Sequence, residues 1–143
     1  MIRRRSDRGT VTVLIVGFIV VVGLLTAVVV DASAAYLRRQ SLMALADGSA
    51  LAAADGVEGE QVYTRGLGEQ AVVDPQVAHD HVADYLRTTG AFAEHPGLSW
   101  RVSTDGTVVT VRVAAPLDLP ITPSGWAGAT SVSGTASAVV DVE

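Results

Sequence analysis

The chain contains no cysteine and no lysine, and only 17% of its 143 residues are charged and 5% aromatic. Without cysteine there is no disulfide framework, no thiol nucleophile and no cysteine-based metal site. Packing and hydrogen bonds must hold the fold alone. Without lysine a phosphate-binding P-loop is excluded. The basic residues are ten arginines, and they are unevenly placed. Residues 1–8 hold four of them against one aspartate, a balance of +3, whereas residues 31–143 hold six against 14 acidic residues, a balance of −8. So acidic a body offers no face for nucleic acid, whose phosphates require clustered positive charge.

Catalytic patterns are equally scarce. Serine is plentiful, but no G-x-S-x-G elbow places one on a strained turn. Asp118 and Asp141 fall in loop and strand positions that do not form a paired-carboxylate cleft. His79 and His81 lie near Asp80 and Asp84, yet residues two apart on a helix do not share a face. They read as part of a solvated helix surface, and His95, before Pro96-Gly97, reads as a loop residue. The expectation is a non-enzymatic protein with no catalytic residue, metal, cofactor or small-molecule substrate.

Charge is also missing from one continuous block. None occurs between Gly9 and Val30, and the stretch 10–30 is mainly Val, Leu, Ile and Gly. At ~1.5 Å per residue a helix of this length covers ~30 Å, the hydrocarbon thickness of a bilayer. Arg3, Arg4, Arg5 and Arg8 precede it and Asp31 follows it. Basic flanks stay in the cytoplasm, so these arginines set an N-inside, single-pass orientation with the body outside the cell membrane. A competing reading is a secreted or anchored binding module released by cleavage after Ala34, since Ala32-Ser33-Ala34 has the A-x-A form. Signal peptides, however, have apolar cores of ~7–15 residues, shorter than this one. Gly17 and Gly23 are six apart and form no G-x-x-x-G face.

Beyond Asp31 the helix is expected to continue. Ala, Leu, Arg, Gln and Met fill the segment to Asp55, interrupted only by Gly48, and Asp55-Gly56 supplies a stop. Leu42, Leu45, Ala46, Ser49 and Ala53 form one stripe at helical spacing; Leu37, Ala44 and Leu51, spaced by sevens, form another on the opposite side. A helix apolar on two sides has two things to pack against. The expected occupants are its own domain on the first stripe and another subunit on the second.

The same residues carry a family resemblance. Arg8-Gly9-Thr10-Val11-Thr12-Val13 opens the apolar block and Val30-Asp31 closes it; Tyr36-Leu37-Arg38-Arg39-Gln40-Ser41-Leu42 and Ala46-Asp47-Gly48-Ser49-Ala50-Leu51-Ala52-Ala53-Ala54 follow. This run resembles the N-terminal region of TadE/TadG-like proteins, the pilin-like minor components of bacterial tight-adherence (Flp) pilus systems. The resemblance implies a pilin-like fold, a role in pilus or secretion-system assembly, and partners among the other subunits, met through the N-terminal helix. Relatives typically read Ala-Ala where this chain has Gly48-Ser49. Pilin-like subunits are typically cut after a Gly with Glu at the fifth position beyond; here Gly9 is followed at that position by Leu14, and no Glu occurs before Glu58. Prepilin-type processing is not expected.

The remainder reads as a small α+β domain. Residues 56–74 suggest a glycine-rich linker with a short helical turn at 69–73. Asp74-Pro75 starts a helix whose apolar face is Val77, Ala78, His81, Val82, Tyr85 and Leu86, and Thr89-Gly90 ends it. Leu98, Trp100 and Val102 alternate with polar residues and lead into Asp105-Gly106, a type I′ pair. That turn would set Val102 opposite Val109, Trp100 opposite Val111 and Leu98 opposite Val113, with Arg101, Ser103, Thr110 and Arg112 on the other face. Residues 115–128, with three of the five prolines and with Trp126 available to cover the sheet, read as a crossing loop. Residues 131–142 alternate as a third strand, with Gly134 as a bulge. The predicted division is a basic N-terminus over 1–9, a transmembrane helix over 10–30, its continuation over 31–55 and an exported domain over 56–143.

Overall fold

The computed structural model describes residues 8–64, 73–122 and 130–140. Its backbone is one helix, α1, running from Arg8 to Thr64 over 57 residues, or ~85 Å. The stop expected at Asp55-Gly56 does not occur. Glycine costs ~1 kcal/mol inside a helix, but here its missing side chain makes room for a neighbour. A Cβ on Gly56 would overlap the His81 ring, and one on Gly48 would overlap the Tyr85 ring. The two glycines are seats for rings of the next helix, and α1 passes through both. Part of the expected linker is therefore helix, while the turn proposed around Glu69 lies outside the described residues.

The second helix, α2 (Pro75–Thr88), begins as the sequence predicts. The Asp74 carboxylate accepts the Gln76 amide at 2.8 Å and proline takes the first turn, satisfying one of the donors that a helix start leaves free. Its inner face buries Ala78, Val82, Ala83 and Leu86. A one-turn helix, α3 (Ala91–Glu94), follows at Gly90, which adopts φ +72°.

Three strands, β1 (Ser99–Asp105), β2 (Val108–Pro116) and β3 (Ser131–Val139), form an antiparallel sheet in the order β1-β2-β3. The hairpin register differs from the expectation by two residues. Val102 pairs with Val111, Trp100 with Val113 and Asp105 with Val108, so the turn residues are Gly106 and Thr107. A type I′ turn on Asp105-Gly106 would force the aspartate to positive φ. The observed turn places its one positive φ, +63°, on Gly106 at the first central position, where a type II′ turn requires glycine. A slip of two keeps every side chain on its face. Val102, Val109, Val111 and Val113 still look inward, and Arg101, Ser103, Thr110 and Arg112 outward, where Thr110 and Ser137 share a 2.7 Å hydrogen bond. The turn is anchored from both sides, its Gly106 and Thr107 carbonyls accepting the amides of Val73 and Val140.

Gly134 is not a bulge: it pairs regularly with Val113. A Cβ there would run into the backbone of Leu42 and Met43, so glycine lets β3 lie directly on α1. The core closes around that contact. Leu42, Ala46, Ser49, Ala50, Ala53, Ala54 and Val57 of α1 are buried with Val82, Leu86, Val109, Val111 and Val113. The fold is α+β, and its core is built on the outer half of α1 rather than beginning after it.

Replacing Gly106 by valine is expected to cost about 1 kcal/mol or more, because a β-branched residue resists positive φ. Thermal melting of the full-length protein in detergent measures it. Unchanged melting would show that the turn tolerates another geometry.

Candidate functional site

Along α1, burial divides the helix into a bare half and a packed half. From Val11 to Val30 the large apolar side chains are 40–73% exposed. Among the described residues α1 is the one helix long and apolar enough to cross a membrane, and it is compatible with a single-pass membrane protein. The helix is unbroken through Ala32-Ser33-Ala34.

The packed half starts at Asp31. Asp31, Ala34, Ala35 and Arg38 are half-buried on the side that continues into Leu42, Ala46 and Ser49. The Asp31 carboxylate accepts the amides of Ile121 and Thr122 at 2.9 and 3.0 Å and the Thr122 hydroxyl as well. The bond from the Thr122 side chain, with both amides, holds this carboxyl below its ordinary pKa, since each donor favours the charged form. A loop far along the chain is thereby fastened to the point where charge returns to the helix. Further up α1, Arg38 donates to the Glu94 carbonyl at 3.3 Å, and Ser41 meets the His95 Nε2 at 3.2 Å.

His95 is not a solvated loop residue. It caps α3 and is 3% exposed, with a buried Nδ1 that lacks a hydrogen-bond partner. Burial, reinforced by Arg38 and opposed by Glu94, lowers its pKa below 6.5. The unfolded chain therefore binds the proton more readily than the fold does, so stability is full above pH ~6.5 and declines as pH falls below it. We expect the melting temperature to drop between about pH 7.5 and 5.5. The drop should be smaller in His95→Gln, which separates His95 from His79 and His81. Equal drops in both proteins would count against the assignment.

The other histidines are occupied in packing, His79 against Trp100 with centroids 4.3 Å apart and His81 over Gly56. Among the described residues no group of three or more His, Asp or Glu could hold a metal. Asp118 is exposed, and Asp141 and Trp126 lie outside the described residues.

Among the described residues, the opposite side of packed α1 is exposed. Leu37 is 63% and Leu51 59% exposed, and Ala44 between them is exposed too, with Tyr36 and Met43 alongside. Leu37, Ala44 and Leu51 fall on one line because a spacing of seven makes nearly two turns. The stripe spans residues 37–51, the same part of the helix that carries the core on its other side.

That stretch of helix lies inside a family match: residues 9–56 fit the model described as putative Flp pilus-assembly TadE/G-like. No curated protein and no solved structure is significantly similar to the chain. The TadE/G-like match takes in the apolar span, Asp31, the exposed stripe and most of the buried one, and stops short of α2 and the sheet. It supports involvement in Flp (tight-adherence) pilus assembly, a family role that is generally non-enzymatic. Arg3, Arg4 and Arg5 lie outside the described residues, and α1 opens at Arg8.

Proposed function

We propose that this is a single-pass, pilin-like membrane protein that takes part in pilus assembly without catalysing a reaction. It meets other subunits through the outer face of α1 at Leu37, Ala44 and Leu51. The observation that carries the reading is the two-sided helix. One side of residues 37–51 is consumed by the protein's own core, and the other presents leucines to solvent along the segment that matches a pilus-assembly family. Arg3, Arg4, Arg5 and Arg8 before the apolar block, and the acidic body after it, favour a cytoplasmic N-terminus and an exported domain. A C-terminal reporter that remained cytoplasmic would reverse that orientation.

The test is the double variant Leu37→Ala with Leu51→Ala. Truncating exposed leucines leaves folding nearly untouched, so protein level should stay at wild type while piliation and crosslinking to other pilus subunits fall. Wild-type piliation in this variant would make the outer helix a passive stalk and remove the stripe from the proposal.

A further inference from the structure

We propose that the loop carrying Ile121 rests on the lipid headgroup layer, held there by Asp31. The inference rests on the membrane-spanning reading of α1 and adds a lipid contact to it. Asp31 is the first charged residue after the uncharged block that ends at Val30. With that block in a bilayer, a carboxylate at this position stands at the boundary between hydrocarbon and headgroups. Any group bonded to it stands at the same level. The structure bonds two consecutive backbone amides and a hydroxyl to it, all from residues 121 and 122.

Three features fit a lipid surface. A carboxylate where water thins must have its lone pairs satisfied, and the loop supplies three donors to this one. Residue 121 joins the clamp only through its backbone, which leaves its apolar side chain 47% exposed. An exposed isoleucine is ordinary by itself. Beside the end of an apolar span, between the exposed Pro120 and the half-buried Thr122, it is an apolar contact offered at interfacial depth. Tyr36 is 68% exposed, little more than one helical turn beyond Asp31. That places it about 7.5 Å further along the helix, a height at which tyrosine is enriched in membrane proteins.

The absence of cysteine makes the test clean, since each introduced cysteine is the sole labelling site. Full-length protein carrying Ile121→Cys, Val20→Cys or Asp105→Cys is labelled with an environment-sensitive fluorophore. It is then reconstituted into phosphatidylcholine vesicles bearing a nitroxide either on the headgroup or deep in the acyl chain. The label at 20 should be quenched by the acyl-chain nitroxide, the label at 121 by the headgroup nitroxide, and the label at 105, in the hairpin end of the sheet, by neither. Adding Asp31→Ala to the 121 variant should abolish its quenching, and Thr122→Val should weaken it in part. An unquenched label at 20 would overturn the membrane-spanning reading itself. Quenching at 20 without quenching at 121 would overturn the lipid contact alone and turn that loop toward water or a protein neighbour. Quenching at 121 that survives both Asp31→Ala and Thr122→Val would remove the clamp.

Discussion

Gly134→Val should unfold the outer domain, with a cost of at least ~3 kcal/mol, the upper range for overpacking. The reason is what the new atoms would meet. A Cβ at this position runs into the backbone atoms of Leu42 and Met43. Flexible side-chain ends can swing away from an intruder; a helical backbone cannot. Strand β3 would have to lift from α1, exposing Val109, Val111 and Val113, all of which are fully buried. The expected readout is loss of a cooperative melting transition in detergent together with low cellular abundance. Gly48→Ala is the milder comparison, because the obstacle there is the tip of the Tyr85 side chain, which can shift. A Gly134→Val protein that melts like wild type would show that β3 does not lie as closely on α1 as described.

The second large effect is expected from Leu42→Ala with Leu45→Ala. Leu42 is fully buried at the centre of the core, and Leu45 packs against it while partly exposed. Removing a buried leucine typically costs ~2–5 kcal/mol, and the small aromatic-poor core has few large side chains with which to refill the cavity. Abundance should fall sharply and piliation with it. The contrast with the Leu37 and Leu51 pair gives the result its meaning: equal numbers of leucines are removed from one helix, and only the side that is removed differs. If the Leu42 pair leaves melting unchanged, α1 is not the floor of the domain.

Periodicity made the faces legible in the sequence but not the register. The alternation of Trp100, Val102, Val109 and Val111 is satisfied equally by two pairings that differ by a slip of two. Only the conformational demand of the turn separates them, and it favours placing Gly106, not Asp105, at positive φ. The two stripes of α1 were legible for the same reason: helical spacing shows directly in the order of residues. Its end was hidden, because Asp55-Gly56 reads as a stop in the sequence whereas in the fold Gly56 sits mid-helix, seated against the ring of His81 on the next helix. Gly134 misled similarly, since a glycine in a strand looks alike whether it bulges or admits a helix. The Asp31 clamp and the buried His95 had no local signature. Each depends on a contact with a distant part of the chain, and such contacts leave no periodic trace.

Helix α1 has no joint. From Asp31 to Val57 it continues the apolar segment without a break, and the loop fastened at Asp31 adds a second strut at its base. With the apolar half in a bilayer, the outer domain would be the long arm of a lever whose short arm is immersed. Spans adjust to membrane thickness by tilting. Over the ~39 Å from Asp31 to Val57, a change of about 10° would sweep the top of the domain sideways by ~7 Å. Force applied to the sheet would travel the other way and arrive in the lipid as torque. In oriented membranes of two thicknesses, solid-state NMR of backbone labels at Val20 and Ala50 should find the two halves of α1 changing tilt together; an outer half whose tilt stays fixed while the span tilts would locate a hinge in the helix.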